Sequence, residues 1–270
     1  ASCVAIAGEG LNMERDYDAD TRVYQSDLRP SDEIGRTAGL RAVERVNPRR
    51  PATGSYPVIY DERISSGLVG HFLSAINGAS ITRGSSWLKD SLGKQVLPST
   101  CKLVENPHRL RAGASRLFDS EGLATKKREI LSKGVLNGWT LDLASARKLG
   151  MKPTANASRN VSSNPSPTNW NIELSSPEDY CDNLLSEMGN GLLVTSLIGS
   201  TINPNTGDYS RGVSGFWVEN GQICYPVSEI TIAGNLRDML KKIILGNDAQ
   251  RHLSYVVPSI LVEEMTLAGS

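Results

Sequence analysis

Three histidines, His71, His108 and His252, are the first residues to test for chemistry. An imidazole can ligate a metal or move a proton near neutral pH, but either task needs a partner. His71 belongs to an apolar periodic set, Ile64, Leu68, His71, Phe72, Ala75 and Ile76. On such a helix face a histidine ordinarily sits hydrogen-bonded in the core. His108 and His252 have no partnering pattern. Cys3, Cys101, Cys181 and Cys224 form no C-x-x-C pair, which speaks against a zinc knuckle and fits reduced thiols in a cytosolic protein. Ser65, Ser66, Ser85 and Ser86 lie in no G-x-S-x-G motif, and no phosphate-binding G-x-x-x-x-G-K-[ST] loop occurs. A second polar group is Asp208-Tyr209-Ser210-Arg211-Gly212. Asp208, Ser210 and Arg211 could orient a peptide, or an Asp–Arg contact could hold the loop together. Phe216 and Trp217, a few residues on, are expected in the core or an interface.

The elements that must position these residues follow from length and pattern. The chain has 270 residues, enough for one large or two ordinary domains. Twenty-nine Lys and Arg balance 29 Asp and Glu, which argues against a dedicated nucleic-acid binder. No apolar run approaches the roughly 20 residues that span a bilayer. Ala1-Ser2-Cys3-Val4 lacks the basic start of a signal peptide, so a cytoplasmic protein is expected.

Strands are expected at Ser2 to Ala7, Tyr56 to Tyr60, Gln95 to Leu97, Cys101 to Glu105, Trp170 to Leu174, Leu192 to Ile198, Val256 to Val262 and Met265 to Ala268. Glu129 to Leu131 and Val135 to Leu141 read as a hairpin. Ser31 begins a helix reaching about Val46, with Ile34, Ala38, Val43 and Val46 near one face. Gly67 and Gly70 lower the propensity of the next helix by roughly 1 kcal/mol each and suggest close packing against another backbone. Ser145 to Leu149 is a short helix, Pro153 to Thr168 a mobile loop, and Ser176-Pro177-Glu178-Asp179 a helix start. Thr206 to Gly212 reads as a polar loop. Val213 to Val227 reads as a hairpin turning at Asn220-Gly221, whose residues tolerate the positive φ of a type I′ turn. Asn235 caps a helix carrying Leu236, Met239, Leu240, Ile243 and Ile244. The sum is an α+β fold with a mostly antiparallel, barrel-like sheet and flanking helices.

Asp208 to Gly212 followed by Ser214-Gly215-Phe216-Trp217-Val218-Glu219-Asn220-Gly221 closely resembles the C-terminal region of the TldD/PmbA family, on its PmbA/TldE branch. That family is known as modulators of DNA gyrase and as metallopeptidase (peptidase U62-like) subunits. The likeness continues at Leu68-Val69-Gly70-His71, Gly84 to Asp90, Phe118-Asp119-Ser120-Glu121-Gly122, Ser145 to Gly150 and Glu263 to Gly269. It implies that residues 1–50 are the remnant, a last strand and helix, of an α/β N-terminal domain, and that 51–270 form the β-rich C-terminal domain.

The TldD-type subunits of the family carry His-Glu-x-x-x-His on the helix that follows the strand equivalent to residues 57–60. Two imidazoles on one helix face can ligate zinc, with the glutamate as base. Here Ser66 and Gly67 stand where that His and Glu would be, ahead of His71. The resemblance therefore implies a metal-free subunit with no catalytic residue of its own, with zinc only in a TldD-type partner. It implies a heterodimer with that partner or a homodimer, and unfolded peptide as substrate, as in microcin maturation and antitoxin turnover. His71, Asp208, Ser210, Arg211, Phe216 and Trp217 are the expected peptide-binding or assembly residues. Two other readings are a binding protein that modulates gyrase and a stand-alone peptidase with an unrecognised site. Neither direct nucleic-acid binding nor a membrane is expected.

Overall fold

The computed structural model describes residues 1–177 and 179–269. Its centre is a ring of strands. Gly54–Tyr60, Gly191–Ile202, Asp208–Glu219, Gln222–Asn235 and Ile260–Ala268 each pair with two neighbours and close a five-stranded barrel. Gly54–Tyr60 is the keystone. It runs parallel to Gly191–Ile202 (Tyr60 opposite Val194) and antiparallel to Ile260–Ala268 (Tyr60 opposite Ile260). A parallel pair needs a long crossover, and residues 61–190 supply it. Ile243–Gly246 and Tyr180–Cys181 extend the sheet beyond Ile260–Ala268. The α+β class with a barrel-like, mostly antiparallel sheet is thus observed.

Two local features allow the ring to curve. Register shifts fall between Val194 and Ser196 and between Val213 and Gly215, where extra residues bend the strands. At Gly215 a Cβ would lie 1.9 Å from the Leu193 carbonyl oxygen, so only glycine lets the two strands approach. The hairpin turns at Asn220 (φ 50°) and Gly221 (φ 73°), as Asn-Gly requires.

The crossover begins with the helix Glu62–Ala75, capped by Asp61, whose carboxylate accepts from the Arg63 amide at 3.1 Å. The helix Gly78–Arg83 follows, capped by Asn77. A second sheet then forms in the order Tyr255–Val256, Ile172–Ser175, Lys102–Glu105, Arg128–Ser132 and Val135–Leu136. The helix Leu143–Leu149 starts on a capping box between Asp142 and Ser145. One apolar core joins barrel, helix and second sheet through Val58, Tyr60, Phe72, Leu103, Leu131 and Ile232. Strand alternation sends Ile59 the other way, into a smaller core with Leu184, Met188, Val218 and Leu261.

Residues 1–50 form an antiparallel pair, Ser2–Ala7 with Glu14–Ala19, covered by the helix Ser31–Glu44. Charges tie this unit to the barrel. Asp16 meets Arg63 of the helix Glu62–Ala75, and the Arg45 guanidinium donates to Thr195 Oγ1 at 2.9 Å, while Asp16–Arg45, Asp18–Arg29 and Asp18–Arg41 brace the unit internally.

Several expectations need correction. Asp208 to Gly212 is strand, its backbone paired on both sides; only Tyr209 among its residues is buried, so the segment imitates a polar loop. The expected helix at Ser176-Pro177-Glu178-Asp179 is displaced. Glu178 lies outside the described residues, Tyr180–Cys181 is a strand, and the helix is Leu184–Met188, capped by Asn183. Ile243 and Ile244 leave the helix Leu236–Lys241 and enter a strand that pairs with Ile260–Ala268. Gln95 makes only an isolated bridge, to Val135. Val43 is exposed, because Ile34, Ala38 and Ala42 form the buried stripe. The loop of residues 153–168 is pinned: Asn156 is buried and its amide donates to Thr168 O and to Glu105. Gly67 and Gly70 pack against nothing; a Cβ at either would meet no atom within 4 Å. The helix packs through Leu68, Val69, Phe72 and Leu73 instead, which leaves the glycine side open.

Candidate functional site

At one mouth of the barrel the strand Gly54–Tyr60 hands over to the helix Glu62–Ala75, and four polar side chains meet. Tyr60, the last residue of its strand, is fully buried; its hydroxyl donates to Met265 Sδ at 3.4 Å, and the Tyr209 phenol is its electrostatic neighbour. Tyr209 comes from the Asp208–Glu219 strand and is 2% exposed. Its ring meets the His71 imidazole edge to face, with centroids 6.0 Å apart. Arg211, two residues on and hence on the same strand face as Tyr209, completes the group. Its Nε is shielded from solvent and has no hydrogen-bond partner, and among the described residues Arg211 makes no ion pair.

Burial and the guanidinium set the protonation states. Burial first, and Arg211 second, push the His71 imidazole below its ordinary value, so it is neutral at pH 7. Burial drives the Tyr60 phenol well up and the Tyr209 phenol up, while Arg211 partly opposes both. Both phenols therefore remain protonated and able to donate.

The helix beside this group presents Ser66, Gly67, Gly70 and His71, all half-buried, with open space at both glycines. These residues do not fit a zinc ion. One imidazole faces a serine and a glycine, and among the described residues no three His, Cys, Asp or Glu side chains come close enough to hold a metal.

The expected site residues separate into three places. His71 and Arg211 come together. Asp208 and Ser210 alternate to the opposite face of the strand. Asp208 is bound to Thr206 Oγ1 at 2.5 Å and Asn235 Nδ2 at 2.9 Å, which hold its carboxyl below the usual range. The supposed Asp208–Arg211 contact does not occur. Phe216 and Trp217 lie farther along the strand, toward the hairpin tip. Trp217 is buried, edge-on to Tyr56 and stacked on Tyr225, and its Nε1 donates to Glu219 Oε1 at 3.0 Å. Sequence reasoning missed Tyr60 and Tyr209. The available signal was positional: Tyr60 ends a strand just before the helix that carries His71, and Tyr209 precedes Arg211 by one strand repeat.

A closed five-stranded barrel, joined by a crossover to a helix with an open face and to a second sheet, defines the class: an α+β domain built around a β-barrel. The profile of the PmbA/TldA metallopeptidase C-terminal domain matches residues 53–269. The chain belongs to the PmbA/TldD metallopeptidase family. It is 45% identical over all 270 residues to the metalloprotease PmbA of Escherichia coli O157:H7, and spans 58% of that protein's length. A Bacteroides thetaiotaomicron protein described as a candidate modulator of DNA gyrase has a similar structure. The TM-score is 0.88 at 31% identity, covering 100% of this chain and 59% of that one. A TldD homolog of Buchnera aphidicola is 23% identical over 251 residues, covering 85% of this chain and 51% of that protein. No described helix is long and apolar enough to cross a membrane.

Proposed function

We propose that this chain is the metal-free, PmbA/TldE-type subunit of a cytoplasmic metallopeptidase complex that processes unfolded peptides. It pairs with a TldD-type subunit, which carries the zinc, or with a second copy of itself. Its own contribution is to seat the substrate; activated water and proton transfer come from the partner. Residues 1–50 belong to a separate N-terminal unit in this reading.

One observation carries the proposal. The helix face at Ser66, Gly67, Gly70 and His71 is open beside the barrel mouth yet has a single metal-ligating side chain. A peptidase needs a nucleophile or an activated water together with a group that moves protons. One neutral imidazole beside two protonated phenols could move a proton, but the group includes no nucleophile and no means of activating a water. An extended peptide, by contrast, can lie along such a face and bond through its main chain with little demand on sequence. The four free cysteines suit the cytoplasm.

The test is reconstitution with a TldD-type subunit and an unfolded peptide. Turnover should need both chains, stop with a chelator, and survive His71→Ala here. Loss of turnover in a folded, assembled His71→Ala complex would make this subunit catalytic. The Bacteroides relative's description motivates a second reading, direct binding to gyrase, which a pull-down with purified gyrase tests.

A further inference from the structure

Arg211 is the least compensated charge at the barrel mouth. Its Nε is cut off from water without a partner, and no carboxylate of the described residues pairs with it. Most half-buried arginines of this chain are differently placed. Arg45 and Arg63 both meet Asp16, and Arg128 grips Glu105. A guanidinium whose Nε is shielded and unpartnered, and whose terminal nitrogens bond no other group among the described residues, has its fork free for an anion.

The missing partner can be described by what surrounds the gap. One guanidinium gives a charge of one. The neutral imidazole adds none, but can donate through one ring nitrogen. The Tyr209 phenol is protonated and within the same group. A planar anion of single charge with two acceptor oxygens fits this set, because the guanidinium fork matches a carboxylate bidentately. A phosphate near two negative charges would be left undercompensated. The open side at Gly67 and Gly70 gives the ligand a way in and room for whatever is attached to it.

We propose that Arg211, Tyr209 and His71 form a receptor for one carboxylate, and that its source is the C-terminal carboxylate of a bound peptide. The source rests on the peptide reading above; the receptor does not. The site then fixes one end of an extended substrate and sets its direction along the helix face, which main-chain bonding alone leaves undetermined.

The experiment compares a short unstructured peptide with a free C-terminus, the same peptide amidated, and acetate alone, against this chain and against R211M and R211K. Calorimetry reads affinity and NMR reads the His71 ring. We expect the free acid to bind about tenfold or more tightly than the amide. The His71 ring signals should move on binding, with the imidazole pKa rising as the anion offsets Arg211. The preference should vanish in R211M and return in part in R211K. Equal binding of acid and amide by the unaltered chain would overturn the carboxylate receptor while leaving peptide binding intact. Acetate moving His71 through Arg211, with no peptide bound, would uphold the receptor and overturn the peptide as its source. No binding and no His71 response with any probe would overturn both.

Discussion

Glu62 opens the helix that carries His71, and its carboxyl is pushed up to about 7, chiefly by burial and then by Asp61 and Asp248. Because the folded value lies above the unfolded one, the folded state holds the proton more tightly. That stabilisation is complete below about pH 4.5 and is lost as pH rises through about 7. Glu62→Gln should therefore raise the thermal midpoint at pH 8 relative to the unaltered chain and give little gain at pH 4.5. After discounting for solvent screening of a half-exposed group, the difference is about 1 kcal/mol. Melting curves at both pH values check it, and an equal gain at both would refute it. Glu105 is the opposite case. It is 1% exposed, bound by Arg128, and accepts from Asn156, Asn169 and the Trp170 amide. Glu105→Ala strands a buried guanidinium and should cost about 3–5 kcal/mol by denaturant titration. The sequence placed Glu105 in its strand but gave no hint of this network. Its donors come from residues 23 to 65 positions away, and such proximity is invisible to spacing. The sequence did single out His71 and Arg211, but not their convergence.

Elements were legible where side chains follow one period and one environment. The Asn220-Gly221 hairpin, the strand ending at Tyr60 and the helix after it were read correctly, because turn chemistry and apolar periodicity agree there. Asp208 to Gly212 failed because its alternation buries one aromatic among polar residues. Leu236 to Ile244 failed because an apolar run that changes from helix to strand looks like one helix. The glycines show the limit best: pattern cannot say which glycine is crowded. Gly67→Ala and Gly70→Ala add a Cβ to open space, so each should stabilise the fold by about 0.5–1 kcal/mol through helix propensity. If the open face receives peptide, the pair should also weaken peptide binding while the melting point rises. Gly215→Ala should do the reverse: its Cβ at 1.9 Å from a carbonyl forces the barrel strands apart, and the loss should exceed 2 kcal/mol. Circular dichroism melts of the three variants separate these outcomes.

For the whole molecule, the barrel-like α+β class was legible, but the closed ring was not, because closure depends on one strand finding two partners far apart in sequence. The aromatic hairpin is expected to assist assembly, yet Trp217 is packed on Tyr56 and Tyr225. Trp217→Ala should thus cost about 3–5 kcal/mol of stability, and any loss of assembly should track unfolding. Surface variants at Ile223, which is 51% exposed, should leave the melt unchanged and weaken dimers if the hairpin tip is an interface. Light scattering beside the melts distinguishes the two. Purified chain should also retain no stoichiometric zinc after dialysis, as metal analysis would reveal.

The pairing of Gly54–Tyr60 with Ile260–Ala268 ties residues about 200 positions apart, and that separation has a consequence for how the chain is made. During synthesis the Gly54–Tyr60 strand leaves the ribosome long before either of its neighbours exists. One edge of its backbone has no partner until Gly191–Ile202 has emerged, and the other has none until Ile260–Ala268 has. Native contacts of such high order reward folding only after the loop between them has closed. Ile260–Ala268 completes the ring, so the barrel cannot close until that strand has emerged, and up to that point the nascent chain is most open to aggregation or chaperone capture.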